Sequence, residues 1–301
     1  MLIGGYLAET RNKNAAAGFY YAIAIALKIS PAILLVYLVA RKNYRAFFST
    51  LLFTASFFLS ATIFTGMDFL VKYCCDFLPR MSVNEINNPF ASSYQSVTVL
   101  LRTLFIPDAL LNPGAPFNSL MSFIFFGGLI TGILFFFFIS HLLKNEDSFT
   151  TFSFSLLAAS VFTAYTSVHS LLFLLPACIN LIRLKKAGNM AIMLLFFLVC
   201  TTPVLAFSSL PVLFRFPRLF LLLVLFFLSG DFGKKNLIGL RWLFMSVIFF
   251  LGISLISSPS FESRSEYLLP AEVSLLTYDY EDRKSTRLNS SHTVISYAVF
   301  C

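Results

Sequence analysis

The sequence predicts an all-α protein, a polytopic transmembrane helical bundle. Three observations predict it. Of 301 residues, 58% are hydrophobic and 12% charged, with a mean hydropathy of +0.82, whereas a soluble domain carries about 25% charged residues. Phenylalanine alone supplies 38 residues, more apolar surface than so few polar side chains can keep from water. Apolar runs also approach the roughly 20 residues that cross a hydrocarbon core as one helix.

The runs lie at 15–28, 31–43, 46–66, 118–140, 149–166, 169–183, 190–208, 211–229 and 237–257, about nine apolar helices by periodicity and length. The N-terminus is not a signal peptide, because Glu9, Arg11, Lys13 and Asn14 stand where an apolar core segment belongs. The loops sort by charge. Arg41-Lys42-Asn43-Tyr44-Arg45, Arg183-Leu184-Lys185-Lys186 and Lys234-Lys235 are short and basic, which places them in the cytoplasm by the positive-inside rule. The segment 67–117, with Asp68, Asp76, Glu85 and Asp108, falls on the opposite side. So does 258–281, with Glu262, Glu266, Glu272 and Glu281.

This alternation closes only if 149–183 is a hairpin that leaves the cytoplasmic side and returns. The same logic makes 15–43 a hairpin, broken at Lys28-Ile29-Ser30-Pro31, since proline removes a donor and pushes its predecessor out of helical geometry. The second break is Thr166-Ser167-Val168-His169-Ser170. Each arm spans roughly 20–27 Å at 1.5 Å per residue. A single tilted helix over 15–40, with Lys28 in mid-membrane, is the alternative for the first. The Phe-rich runs at 134–138 and 249–250 read as lipid-facing filler. Five cysteines lack metal or redox spacing. Cys178 and Cys200 read as core, and no disulfide framework is assigned. No P-loop, H-E-x-x-H, G-x-S-x-G or C-x-x-C run is present, so nothing points to a cofactor, a metal or nucleic acid. The cytoplasmic loops explain the net charge of +8.

The last run, DRKSTRLNSSHTVISYAVFC from Asp282 to Cys301, changes character abruptly. It matches the translation of a common sequencing-library adapter, with Thr293-Val294 at the barcode. The expected organisation is therefore a membrane-embedded region at 1–281 and an adapter-derived tail at 282–301 that is no domain. His292 and Cys301 then carry no functional information. Discounting Arg283, Lys284 and Arg287 against Asp282 lowers the net charge of +8 by two.

Ionisable groups inside a bilayer are costly and are functional candidates by default. Lys28 sits at the first break, either as a functional cation or as a lysine snorkelling to the interface. His169 sits at the second, as a phosphate or hydroxyl contact or as a turn residue satisfied by backbone. Arg215 and Arg218 flank Pro217 in PVLFRFPRLF. Their forks suit a phosphate headgroup, or anchor the helix at the interface. Gln95, Thr98 and Arg102 share a face at helical spacing, as a cavity wall or as the polar side of an interfacial helix. Asp68, Asp76 and Glu85 read as solvated loop carboxylates, with service as a base the alternative for any of them.

Three of these segments resemble one known family. AGFYYAIAIALKISPAILLVYLVARKNYRA, YQSVTVLLRTL and TSVHSLLFLLPA are similar, in order and spacing, to the lysine-proline segment, the "NQSLxxxLxR" motif and the "SWxHHxxWLLPA" motif of glycosyltransferase family 87. Tyr94 stands for the family's asparagine, Val168 for its tryptophan and Ser170 for its second histidine, while His169 matches. The resemblance implies a GT-C membrane fold. It implies a hexosyltransferase, typically moving mannose from a polyprenyl-phosphate carrier to a lipid- or glycan-linked hydroxyl on the outer face of a bacterial plasma or inner membrane. Lys28, Gln95, Arg102, His169, Arg215 and Arg218 are the substrate-binding candidates. The family's carboxylate base lies in an outer loop before the lysine-proline segment, and nothing here corresponds to it. The base is expected upstream of Met1, in a longer protein of which this chain is a fragment, inactive as it stands. A transporter or flippase for a lipid-linked anion, with similar broken helices and buried cations, is the second class, and a structural membrane subunit the third.

Overall fold

The computed structural model describes residues 1–77, 89–91, 93–109, 111–145, 147–163, 168–184, 189–207 and 210–230. The chain divides into a unit of residues 1–254 and another of 255–301, and every described residue belongs to the first. The expected span at 237–257 and the adapter-like tail lie outside the described residues.

The described elements are helices, joined by turns and one isolated bridge between Asp108 and Asn112. They are α1 (Leu2–Thr10), α2 (Asn14–Leu27), α3 (Ile33–Ala40), α4 (Tyr44–Thr65) and α5 (Met67–Lys72). There follow α6 (Val97–Phe105), α7 (Leu120–Lys144), α8 (Ser148–Phe162) and α9 (Leu174–Arg183). The series ends with α10 (Asn189–Thr201) and α11 (Pro217–Ser229). Side chains signal several starts: Asn43, Ser96, Ser119 and Asp147 accept the amides of Ala46, Val99, Ser122 and Thr150, as N-cap residues do.

Among the described residues two helices are long and apolar enough to cross a bilayer, α4 with 22 residues and α7 with 25. Only 6% of the apolar window of α4 is buried, and Phe48, Leu52, Leu59, Ile63 and Phe64 lie open. A core helix of a soluble protein would bury such residues, so this face suits lipid. The other apolar helices are shorter than a span, and their packing shows how they are used.

Gly18 of α2 lies against Ser49 and Thr50 of α4, so close that a Cβ on Gly18 would meet the Ser49 Cβ at 2.5 Å. Both contact points fall in the second turn of their helices. The two helices therefore meet near their starts, and Glu9 accepts from both Tyr21 of α2 and Tyr37 of α3, residues that a continuous helix would hold about 24 Å apart, so the chain reverses between them. This decides for the hairpin at 15–43 over the tilted helix. The break is sharp: Lys28 is extended (φ −154°, ψ 129°), and a 3-10 turn over Ser30–Ala32 restarts the chain into α3. The second hairpin is equally plain. Asp147, ahead of α8, pairs with Arg183 at the end of α9, and Thr150 donates to Asn180 at 3.0 Å, so α8 and α9 are antiparallel.

One polar knot ties the hairpins together at the open ends of their arms, away from their own breaks. Glu9 accepts from Tyr21 (2.9 Å), Tyr37 (3.3 Å) and Asn43 (3.3 Å). The Tyr37 hydroxyl also lies 3.4 Å from the Ser148 hydroxyl, beside the Asp147–Arg183 pair. The turns at 11–13 and 41–43, the turn before Ser148 and the end of α9 thus form one layer. The basic residues Arg11, Lys13, Arg41, Lys42 and Arg183 belong to it, as charge sorting of the loops requires. Arg183 and Thr150 hold the Asp147 carboxyl below its usual value although partial burial opposes this.

The largest core cluster includes Leu134, Phe138, Leu142, Phe154, Leu222 and Phe226. The Phe-rich run of α7 is thus not lipid filler throughout. Phe138 is fully buried, 6.0 Å from the ring of Phe154, because a 3.6-residue period turns 134, 138 and 142 to one face. Its companion run at 249–250 lies outside the described residues. Cys178 is core, as expected, and Cys200 is half-buried.

Two outcomes follow from this packing. Gly18→Ala overpacks the α2–α4 contact and costs about 1–3 kcal/mol, read as a lowered thermal midpoint in detergent, whereas Gly114→Ala, with nothing within 4 Å of the new Cβ, leaves it unchanged. The Asp147 carboxyl has a depressed folded-state value, so its contribution is present above the ordinary carboxylate range and lost as pH falls through the lower folded value. Asp147→Asn should therefore lower the midpoint at pH 7, and the gap to wild type should close on acidification.

Candidate functional site

Opposite the turn layer, the chain is broken again where α10 ends and α11 begins. Pro217 opens α11 in the first-turn position where its missing N–H is tolerated. Phe216 before it (φ −116°, ψ 47°) offers no capping side chain. The chain approaches through two 3-10 turns, Val204–Phe207 and Val212–Arg215.

Gln95 meets this junction from across the sequence. It directly precedes Ser96, the N-cap of α6, and is 1% exposed. Its Nε2 donates to the Arg215 carbonyl at 2.9 Å, and its Oε1 accepts the Arg218 amide at 3.1 Å. Below it Val99, Phe216 and Leu219 form a small apolar cluster that seats α6 on the start of α11. Arg218 turns back to the end of α10, where its Nη2 donates to the carbonyls of Thr202 (2.7 Å) and Cys200 (3.4 Å). These are carbonyls that a helix end leaves without internal donors. Arg215 donates from Nε to the Leu210 carbonyl at 2.7 Å. Beside both arginines lies an open apolar pocket of about 500 Å³, lined by Phe207, Leu210, Leu213, Phe214, Pro217 and Phe220, several of them exposed.

Of the expected site residues, Gln95, Arg215 and Arg218 come together here. Arg102 lies further along α6, 2% exposed, with its guanidinium carbon 5.8 Å from the centre of the Phe123 ring. Lys28, half-buried, belongs to the α2–α3 break, whose 3-10 turn packs on α8. His169 falls in the 3-10 turn Val168–Phe173, which packs on α8, α9 and α10, and its side chain lies outside the described residues. The expected Gln95–Thr98–Arg102 stripe does not form as one helical face, because Ser96 caps α6 and leaves Gln95 ahead of the first turn.

Several polar residues that organise the molecule gave weak signals in the sequence. Asn112 donates to the carbonyls of Thr103 (3.1 Å) and Ile106 (2.7 Å) and closes the end of α6. His141 is fully buried at the end of α7, with its ring centre 4.0 Å from that of Phe154. Glu9 precedes the lysine-proline segment, where a carboxylate base is expected, but it sits in the opposite layer with its oxygens engaged by Tyr21, Tyr37 and Asn43. Among the described residues no group of three His, Cys, Asp or Glu side chains is placed to hold a metal.

The two arginines should separate on substitution. Arg218→Met removes the donors at the α10 end and costs about 1.5–3 kcal/mol, the range for hydrogen bonds made by a charged group. Arg215→Met, whose single bond is exposed, costs about 1 kcal/mol or less. Thermal unfolding in nanodiscs compares them.

Comparison with known proteins adds one match. The profile of glycosyltransferase family 87 matches residues 1–174, from α1 to the start of α9, a stretch that includes Lys28, Gln95, Arg102 and His169. Arg215 and Arg218 lie beyond it. No curated protein and no solved structure matches the chain.

Proposed function

The chain belongs to glycosyltransferase family 87, and on that premise we propose that it moves a hexose, mannose foremost, from a polyprenyl-phosphate carrier to a lipid- or glycan-linked hydroxyl at the outer face of the bacterial cell membrane. A donor of this kind is dissolved in the bilayer. It reaches the protein laterally and needs no nucleotide-binding loop. The acceptor oxygen forms its bond to the anomeric carbon as the bond from that carbon to the phosphate oxygen breaks. The electron pair leaves on the phosphate, and the hydroxyl proton passes to a carboxylate base. Cations held near the phosphate lower the barrier, because they meet charge that grows in the transition state. Arg215 and Arg218, with Gln95 beside them, are the cations assigned to that work, and Arg102, His169 and Lys28 are further candidates.

The observation that carries this reading is the juxtaposition of Arg215 and Arg218 with the apolar cavity between Phe207 and Phe220. A phosphate head joined to a long apolar tail is complementary to that pair of features. The broken helices with cations at their ends also fit a carrier of lipid-linked anions, which makes a flippase the second reading.

Purified full-length protein in proteoliposomes, given radiolabelled polyprenyl-phosphate mannose and a glycolipid acceptor, separates the two. The transferase reading expects label in the acceptor, lowered on the order of 10²-fold in His169→Ala. Label that crosses the bilayer without joining the acceptor supports the carrier and refutes the transferase.

A further inference from the structure

We infer that Gln95 is a positioning residue, a remote N-cap for α11 that fixes where Arg215 and Arg218 stand, and not itself a contact to substrate. The start of α11 is enclosed by protein, with Phe216 and Leu219 fully buried, and an amide left unsatisfied there is costly. Pro217 removes one such amide, and Arg218 carries the next. Phe216, in the capping position, has no oxygen to offer. The Gln95 Oε1 takes that place from 123 residues away in the chain, at 3.1 Å from the Arg218 nitrogen. Its amide nitrogen holds the Arg215 carbonyl at 2.9 Å. One side chain thus spans the Arg215-Phe216-Pro217-Arg218 turn and grips it from both sides.

The grip has a rigid base. Gln95 is 1% exposed and adjoins Ser96, whose own hydroxyl caps α6 through the Val99 amide. Val99 in turn packs on Phe216 and Leu219 within the turn and α11. The register of α11 against α6 is therefore set twice, by apolar contact and by the amide. Both guanidinium groups radiate from the clamped turn, Arg218 toward the end of α10 and Arg215 toward Leu210 at the cavity wall. A buried amide spent on backbone at both ends orients other groups and leaves the ligand to the arginines.

The clamp stands on geometry alone; its consequence for the donor rests on the transferase reading above. Both are tested with the full-length protein in nanodiscs, by hydrogen exchange over residues 210–222 and by initial rates with polyprenyl-phosphate mannose. Gln95→Leu should speed exchange of the Arg218 amide about fivefold, as for a lost N-cap, and raise the donor KM severalfold with kcat little changed. Gln95→Glu keeps an acceptor for the Arg218 amide and loses the donor to the Arg215 carbonyl. It should retain the slow exchange while raising KM, and it reports on the clamp even if the leucine variant does not fold. Unchanged exchange in Gln95→Leu, or fast exchange in Gln95→Glu, overturns the clamp. Faster exchange with unchanged KM overturns the positioning role and leaves the transferase reading intact. A collapse of kcat at constant KM also overturns it, since that would put Gln95 at the reacting atoms. A wild-type protein that transfers no sugar defeats the transferase reading and the donor half of the inference with it, while exchange still decides the clamp.

Discussion

A helix that stops within or beside a bilayer leaves amides and carbonyls that protein must satisfy, and the architecture of this chain is organised around that requirement. Its helices stop often, because the two hairpins are built from arms shorter than a full span. At several of the described breaks a side chain meets the exposed backbone. Asn43 and Asp147 take amides at the starts of α4 and α8. Asn112 and Arg218 take carbonyls at the ends of α6 and α10. Gln95 serves both kinds of group at the start of α11. Polar residues that look like ligands in an apolar sequence are in several cases these connectors.

The two ends of the bundle differ in how their charges are used. At the turn layer, charges are matched to partners within the fold: Glu9 is enclosed by two tyrosines and an asparagine, and Asp147 by Arg183 and Thr150. At the other end, Arg215 and Arg218 are bonded to neutral carbonyls. A carbonyl leaves the formal charge of a guanidinium uncompensated, so both arginines can still attract an anion. This asymmetry suits a protein whose loop layer fixes the helices and whose opposite end receives a charged lipid.

Much of the helical layout was legible in the sequence. The runs at 15–28, 46–66 and 149–166 correspond to α2, α4 and α8 within a few residues, because apolar length and flanking charge are local properties. The hairpin at 15–43 was not decidable from the same pattern. It depends on Glu9 joining Tyr21 of α2 to Tyr37 of α3, a meeting that no local pattern announces. The Phe-rich run of α7 was misread because phenylalanine suits lipid and core equally, and only the helical phase sends Phe138 inward. The candidate site was legible as a set of residue types, yet its assembly was not. Gln95 and Arg215 are 120 positions apart, and no local rule links an amide to a distant proline turn. Residues that cap helices and residues that bind phosphate come from the same small group of side chains, so composition alone does not divide them.

The central claim is that the basic turns share one side of the membrane and the arginine turn lies on the other. Single cysteines at Lys42, Asn145, Leu184 and Leu213, in a background with Cys74, Cys75, Cys178, Cys200 and Cys301 replaced by alanine, test it with an impermeant maleimide. Positions 42, 145 and 184 should label from the cytoplasmic side of inverted vesicles, and position 213 only from the outer face of intact cells. Labelling of 213 and 184 from the same side would contradict the claim.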